Sequence, residues 1–210
     1  MVLFLLFSTP IAFFLVNPMF SNAGIRKRVI LMPLVAGMVL SIPFYLLYWS
    51  FLGSFFNDWT SKGVFFYYFI NKNGSAVLYI NSLLILYYTF VDKNRTSSRL
   101  REITAYITGM LFTLGIYDSL LAENWYGVLE LFIIPFDRII LIFVSAIFIK
   151  RSIESSGWIR YIWMVIALIS PFILNLLPYM ASFNKSGISL FLSVFGALLS
   201  YIFYFFESRN

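Results

Sequence analysis

The chain has 210 residues, of which 61% are hydrophobic, 21% aromatic and 11% charged, with a formal net charge of +6 and a mean hydropathy of +0.87. Soluble domains are about 45–50% apolar and about 25% charged, and disordered chains pair low hydrophobicity with high charge, so this composition excludes both classes. Cys and His are both absent, which removes disulfides, thiolate and imidazole metal ligands, the usual haem ligands, thiol nucleophiles and the base of Ser–His hydrolases.

The composition predicts an all-α, polytopic integral membrane protein in which residues 1–210 form a single transmembrane domain. A spanning helix needs roughly 20 apolar residues. Apolar stretches separated by polar punctuation predict seven, at 2–20, 29–53, 75–91, 103–122, 128–149, 161–181 and 188–206. The first has no basic residue ahead of it and Arg26, Lys27 and Arg28 behind it. It therefore reads as a retained helix that begins outside, not as a signal peptide. The second carries Pro33 and Pro43. The third is short unless residues 64–70 contribute, and it is followed by Lys93, Arg95, Arg99 and Arg101.

The fourth carries Asp118 towards its end, and the short loop 123–127 joins it to the fifth as an antiparallel hairpin. The fifth carries Glu130, Pro135, Asp137 and Arg138 and is followed by Lys150, Arg151 and Arg160. The sixth holds Pro171 and Pro178, and the seventh ends just before Arg209. The basic residues that follow the first, third, fifth and seventh spans thus fall on one side, against Lys62, Lys72 and Lys185 on the other. The positive-inside rule then puts the N-terminus outside and the C-terminus in the cytoplasm. Trp49, Trp59 and Trp125 fall at the expected outer interface, and Trp158 and Trp163 at the inner one. The expected location is the bacterial cytoplasmic (inner) membrane, with an organellar inner membrane as the alternative.

The seven prolines lie only in the first, second, fifth and sixth spans. Pro135 aligns with Pro10, and Pro171-Phe172 with Pro43-Phe44. Asn184-Lys-Ser-Gly187 precedes the seventh span as Asn71-Lys-Asn-Gly74 precedes the third. These matches predict a parallel repeat of three helices (1–92), a linker helix (103–122) and three more (128–207), an arrangement that recurs in transporters. In topology and proline placement the layout resembles that of the SWEET sugar transporters. The longer repeat signature of that family is not reproduced, so no functional residue is carried over from it.

The chemistry is expected where charge is costly. An ionised group at the bilayer centre costs from about 2.5 to more than about 10 kcal/mol, so Asp137 and Arg138, near the middle of the fifth span, should not face lipid. Glu130 lies seven residues before Asp137, on nearly the same helical face. Pro135 cannot donate to the Leu131 carbonyl and should kink the helix there. Reflection across the short loop puts Asp118 near the level of Pro135. The residues Asp118, Glu130, Pro135, Asp137 and Arg138 are thus the expected substrate or ion site, with a structural ion pair between Asp137 and Arg138 as the competing reading. Asn81, Ser82 and Asn175 are expected to serve helix packing.

A small permease, or the solute-binding membrane subunit of a transporter, is the leading expectation. A non-catalytic integral subunit of a larger membrane complex is the alternative, and a seven-helix receptor without retinal a second one, because residues 188–206 contain no Lys for a Schiff base. No catalytic residue, cofactor or metal is expected, although a carboxylate-only enzyme built on Asp118 and Asp137 stays open. Membrane lipids and other membrane subunits or further copies of the chain are the expected partners, and nucleic acid is not. The loops leave no room for a nucleotide site, so any use of ATP would need a separate chain.

Overall fold

The computed structural model describes residues 28–48, 50, 72–91, 99–121, 128–174 and 186–209. Among them the regular structure is entirely helical. Its helices are α1 (Arg28–Leu47), α2 (Lys72–Phe90), α3 (Arg99–Leu121), α4 (Val128–Glu154), α5 (Gly157–Leu174) and α6 (Ser186–Arg209). They fall on the second to seventh expected spans. The first span, the loop 54–70, Pro10, Pro18, Pro178, Asn175 and the residues Arg26, Lys27, Lys62, Lys93, Arg95, Lys185, Trp49, Trp59 and Trp125 lie outside the described residues, as do the side chains of Arg28 and Lys72.

Among the described residues three segments are long and apolar enough to cross a membrane, Ile30–Leu47, Gly157–Leu174 and Gly187–Ser208, while Gly74–Phe90 is apolar but shorter. Their burial pattern carries the same message. On α6 the inward face is made of small residues, Ser189, Ser193, Ala197 and Ser200, up to Tyr204 near its end, whereas Phe191, Phe195, Leu198, Ile202, Phe203 and Phe206 point outward. On α5 the inward residues are Ala167, Ser170 and Pro171, and Trp158, Tyr161, Val165, Ile169 and Ile173 are exposed. A helix with its bulk outside and its small polar residues inside suits a hydrocarbon solvent, where tight interhelical packing replaces the hydrophobic effect. The chain is accordingly a membrane-associated helical bundle.

Helices α3 and α4 form the interior. At about 1.5 Å per residue they are about 34 and about 40 Å long, for 23 and 27 residues. Nearly every side chain described between Ile103 and Leu111, and between Ile133 and Ile153, is buried or half-buried. Around them, α1 packs chiefly on α3 and α6 chiefly on α4. The remaining two, α2 and α5, fill the sides.

Side-chain pairs fix the directions. Tyr88 near the end of α2 donates to Glu102 in the first turn of α3 at 3.2 Å, so these two run antiparallel. Asn81 meets Ala167 and Thr89 meets Arg160, which makes α2 and α5 antiparallel as well. By contrast, α4 and α6 run parallel. Asp137 meets Ser193, Ile140 meets the Gly196 position, Phe143 meets Tyr204 and Lys150 meets Glu207.

Helices α1 and α3 meet through two glycines. A Cβ on Gly37 would overlap the carbonyl oxygen of Tyr106, and one on Gly109 would overlap that of Leu34. In each case the opposed carbonyl lies three residues before the facing glycine, so hydrogen atoms on both helices are what permit backbone-to-backbone contact. This is the small-residue crossing that membrane helices use for close approach.

Proline accounts for another buried contact. Pro171 has no N–H, so the Ala167 carbonyl one turn earlier lacks its helical donor. Asn81, fully buried on α2, donates its Nδ2 to that carbonyl at 2.8 Å. The packing role expected for Asn81 is thus a hydrogen bond to a carbonyl that proline has vacated. Between α4 and α5, the two-residue link Ser155–Ser156 closes on Gly157, whose φ of 61° lies in the left-handed region open to glycine.

Candidate functional site

The described charged side chains outside the fifth expected span collect at one end of the bundle, here termed the basic end. Lys150 is buried and donates Nζ to the Glu207 carbonyl at 2.8 Å. It also lies 3.7 Å from the carboxylates of both Glu154 and Glu207. Arg151 pairs with Glu207 at 3.0 Å and stands over the Trp163 ring, 5.1 Å from its centroid. Arg160 donates to Thr89 at 2.8 Å, and Arg99 packs over Tyr88 at 5.4 Å. Lys150 also supplies a cation and a donor to the C-terminal turn of α6, where carbonyls are left over and the helix dipole is negative. The ends of α2, α4 and α6 and the starts of α3 and α5 are thereby tied together at one level.

Asp137 stands well away from that cluster. It precedes Lys150 by 13 residues, which is about 20 Å along α4. Its side chain is 7% exposed and that of Arg138 is 3% exposed. Oδ1 accepts a hydrogen bond from Ser193 Oγ on α6 at 2.8 Å. Oδ2 has no hydrogen-bond partner among the described residues. No ion pair joins Asp137 to Arg138 among those residues either, because neighbours on a helix point about 100° apart.

The Ser193 contact departs from the habit of most other hydroxyls among the described residues. Thr104, Thr108, Thr113, Ser152 and Ser200 each bond back to a carbonyl three or four residues earlier in their own helix. That is the ordinary outlet for a helical hydroxyl. Ser193 instead donates across the α4–α6 seam to a carboxylate. One turn further from the basic end, Ser189 is fully buried with its Oγ unpartnered among the described residues.

The seam is therefore graded along its length. Far from the basic end it holds Ser189, Ser193 and Asp137. Next comes an apolar zone where Ile140 lies against Gly196 and the Phe143 ring packs on Tyr204 with centroids 4.6 Å apart. At the basic end it closes on Lys150, Arg151 and Glu207.

Of the five expected site residues, the structure places Asp137, Arg138 and Pro135 inside the bundle on α4. Helix α4 continues unbroken through Pro135. Asp118 belongs to α3 and Glu130 to α4, and both side chains lie outside the described residues. The sequence reading missed Ser193 and Ser189. Their signal is the spacing of Ser189, Ser193, the Gly196-Ala197 pair and Ser200, small residues at helical intervals on one face of an otherwise bulky apolar helix. Comparison with protein-family models, with curated proteins and with solved structures finds no match to this chain.

Proposed function

We propose that this chain is a small membrane permease, or the solute-binding membrane subunit of a transporter, and that its polar site lies on the α4–α6 seam. In this reading the chain has seven spans, with its N-terminus outside and the basic end of the bundle in the cytoplasm. The six helices described form the second to seventh. The observation that carries the reading is Asp137, an acid buried about 20 Å from the basic end and held, among the described residues, by one serine hydroxyl. Buried ionisable groups within a membrane are costly and mark solute or ion pathways. A purely structural acid would be expected to have both oxygens satisfied.

A serine, Ser193, rather than a cation, meets Asp137 from the opposing helix among the described residues. In this reading the parallel pair α4 and α6 parts at its far end while the Lys150–Glu207–Arg151 cluster holds the basic end. Such motion would expose the Ser189–Ser193–Asp137 stretch to water. A second reading, an integral subunit of a larger complex, draws support from α5, only 17% of whose apolar span is buried within the chain.

Because the chain contains no Cys, Ser193→Cys introduces a unique thiol. In a permease a small water-soluble methanethiosulfonate reagent modifies the Ser193→Cys variant and, more rapidly, the Ser189→Cys variant, within minutes in membrane vesicles. Complete resistance at both positions in folded protein, together with stoichiometric chains co-purifying in mild detergent, would favour the subunit reading.

A further inference from the structure

We infer that Asp137 is a proton-binding site, taking up a proton on Oδ2 while Ser193 keeps its hydrogen bond to Oδ1. The step is a protonation. An O–H bond forms on Oδ2, an O–H bond of hydronium breaks, and water leaves towards the end of the seam that carries Ser189. Only the use made of that proton, as cargo or as coupling ion, rests on the permease reading. The binding itself rests on the geometry of the seam.

Three observations select a proton over a metal cation. Oδ2 and the Ser189 hydroxyl are the two unpartnered oxygens on this stretch of the seam among the described residues. Hard cations collect about six oxygens, so two fall far short. The surroundings are also packed, with Ile133, Ile140, Ser189 and Ser193 all buried, and a proton requires no cavity. Finally, an isolated buried carboxylate is the form that burial penalises most, and neutralisation by a proton is the usual relief.

The titratable and charged groups on the helices that pack against α4, and on α4 itself, define what could compete for Asp137. On α6, residues 186–200 carry no charge, and on α5 residues 161–174 carry none. Helix α2 brings Tyr79 and, near the basic end, Tyr88. Helix α3 brings Asp118 in the same half of the bundle, with Tyr106, Glu102, Arg101 and Arg99 towards the basic end. On α4 itself stand Glu130, two turns away, and Arg138, about 100° round the helix, which has interactions of its own.

The test uses the full chain reconstituted in phosphatidylcholine vesicles and treated with dicyclohexylcarbodiimide, an apolar reagent that reacts with protonated carboxyl groups. Peptide mass spectrometry then locates the adduct. The expected result is an acylurea on Asp137 whose yield falls about tenfold per pH unit above its midpoint and is unchanged when sodium replaces choline. Asp137→Asn should lose the adduct. Ser193→Ala keeps the carboxyl but removes a donor that favours its ionised form, so labelling of this variant should persist to higher pH.

No adduct on Asp137 at any pH in folded protein, or protection by sodium at fixed pH, would overturn the inference. Labelling of Asp137 in vesicles that show no proton flux would instead retain the proton site and reject the permease reading.

Discussion

Pro171 removes one backbone donor from α5, and Asn81 supplies the replacement from another helix. The consequence is measurable because the two residues act on one carbonyl. Asn81→Ala leaves the Ala167 oxygen in an apolar interior with only the long 3.5 Å contact from Ser170. A side-chain hydrogen bond between membrane helices is worth about 0.6 kcal/mol on average and up to about 1.7 kcal/mol. Loss of stability near the upper end of that range is expected for Asn81→Ala, read from unfolding in a denaturing detergent. In a Pro171→Ala background the restored N–H can serve Ala167, so the same substitution should cost distinctly less. Additive costs around this double-mutant cycle would reject the shared-carbonyl account. The sequence showed a buried Asn and an intrahelical Pro separately. Their pairing was illegible because it depends on the register of two helices nearly ninety residues apart in the chain.

Helix existence was largely legible, and helix ends were less so. Hydropathy marks where the apolar stretch stops, whereas the helix itself runs on through residues that form helices well. Thus α3 begins at Arg99, not at 103, and α4 continues to Glu154, past the expected 149. Contact between elements was the least legible level. The α1–α3 crossing rests on Gly37 and Gly109, and one-dimensional pattern does not say which glycines face each other. Gly37→Ala and Gly109→Ala each drive a methyl group into a backbone carbonyl that has no rotamer by which to yield. Each is expected to cost about 1–3 kcal/mol. The double variant should cost less than the sum, because the first methyl already separates the helices. Gly187→Ala, with open space around it, should change stability by no more than about 0.5 kcal/mol. Equal effects at all three glycines would contradict the crossing.

At the scale of the molecule, charge is sorted into two kinds. Most of it gathers at the basic end and binds helix termini together, as Lys150 and Arg151 do with Glu207. Among the described side chains the remainder, Asp137 and Arg138, lies within α4. The cost of burying charge in lipid was enough to single out Asp137 and Arg138 from sequence. The serine that holds Asp137 was not, because a serine on an apolar helix usually turns to its own backbone. A graded seam of this kind has functional meaning only if its two ends face different compartments. Single cysteines at Ser156, exposed at the basic end, and at Gly187, exposed at the far end of α6, test this with a membrane-impermeant maleimide on sealed, right-side-out vesicles. The account predicts that Gly187→Cys is modified in sealed vesicles, whereas Ser156→Cys is modified only after the membrane is permeabilised. Modification of both positions from the same side would contradict it.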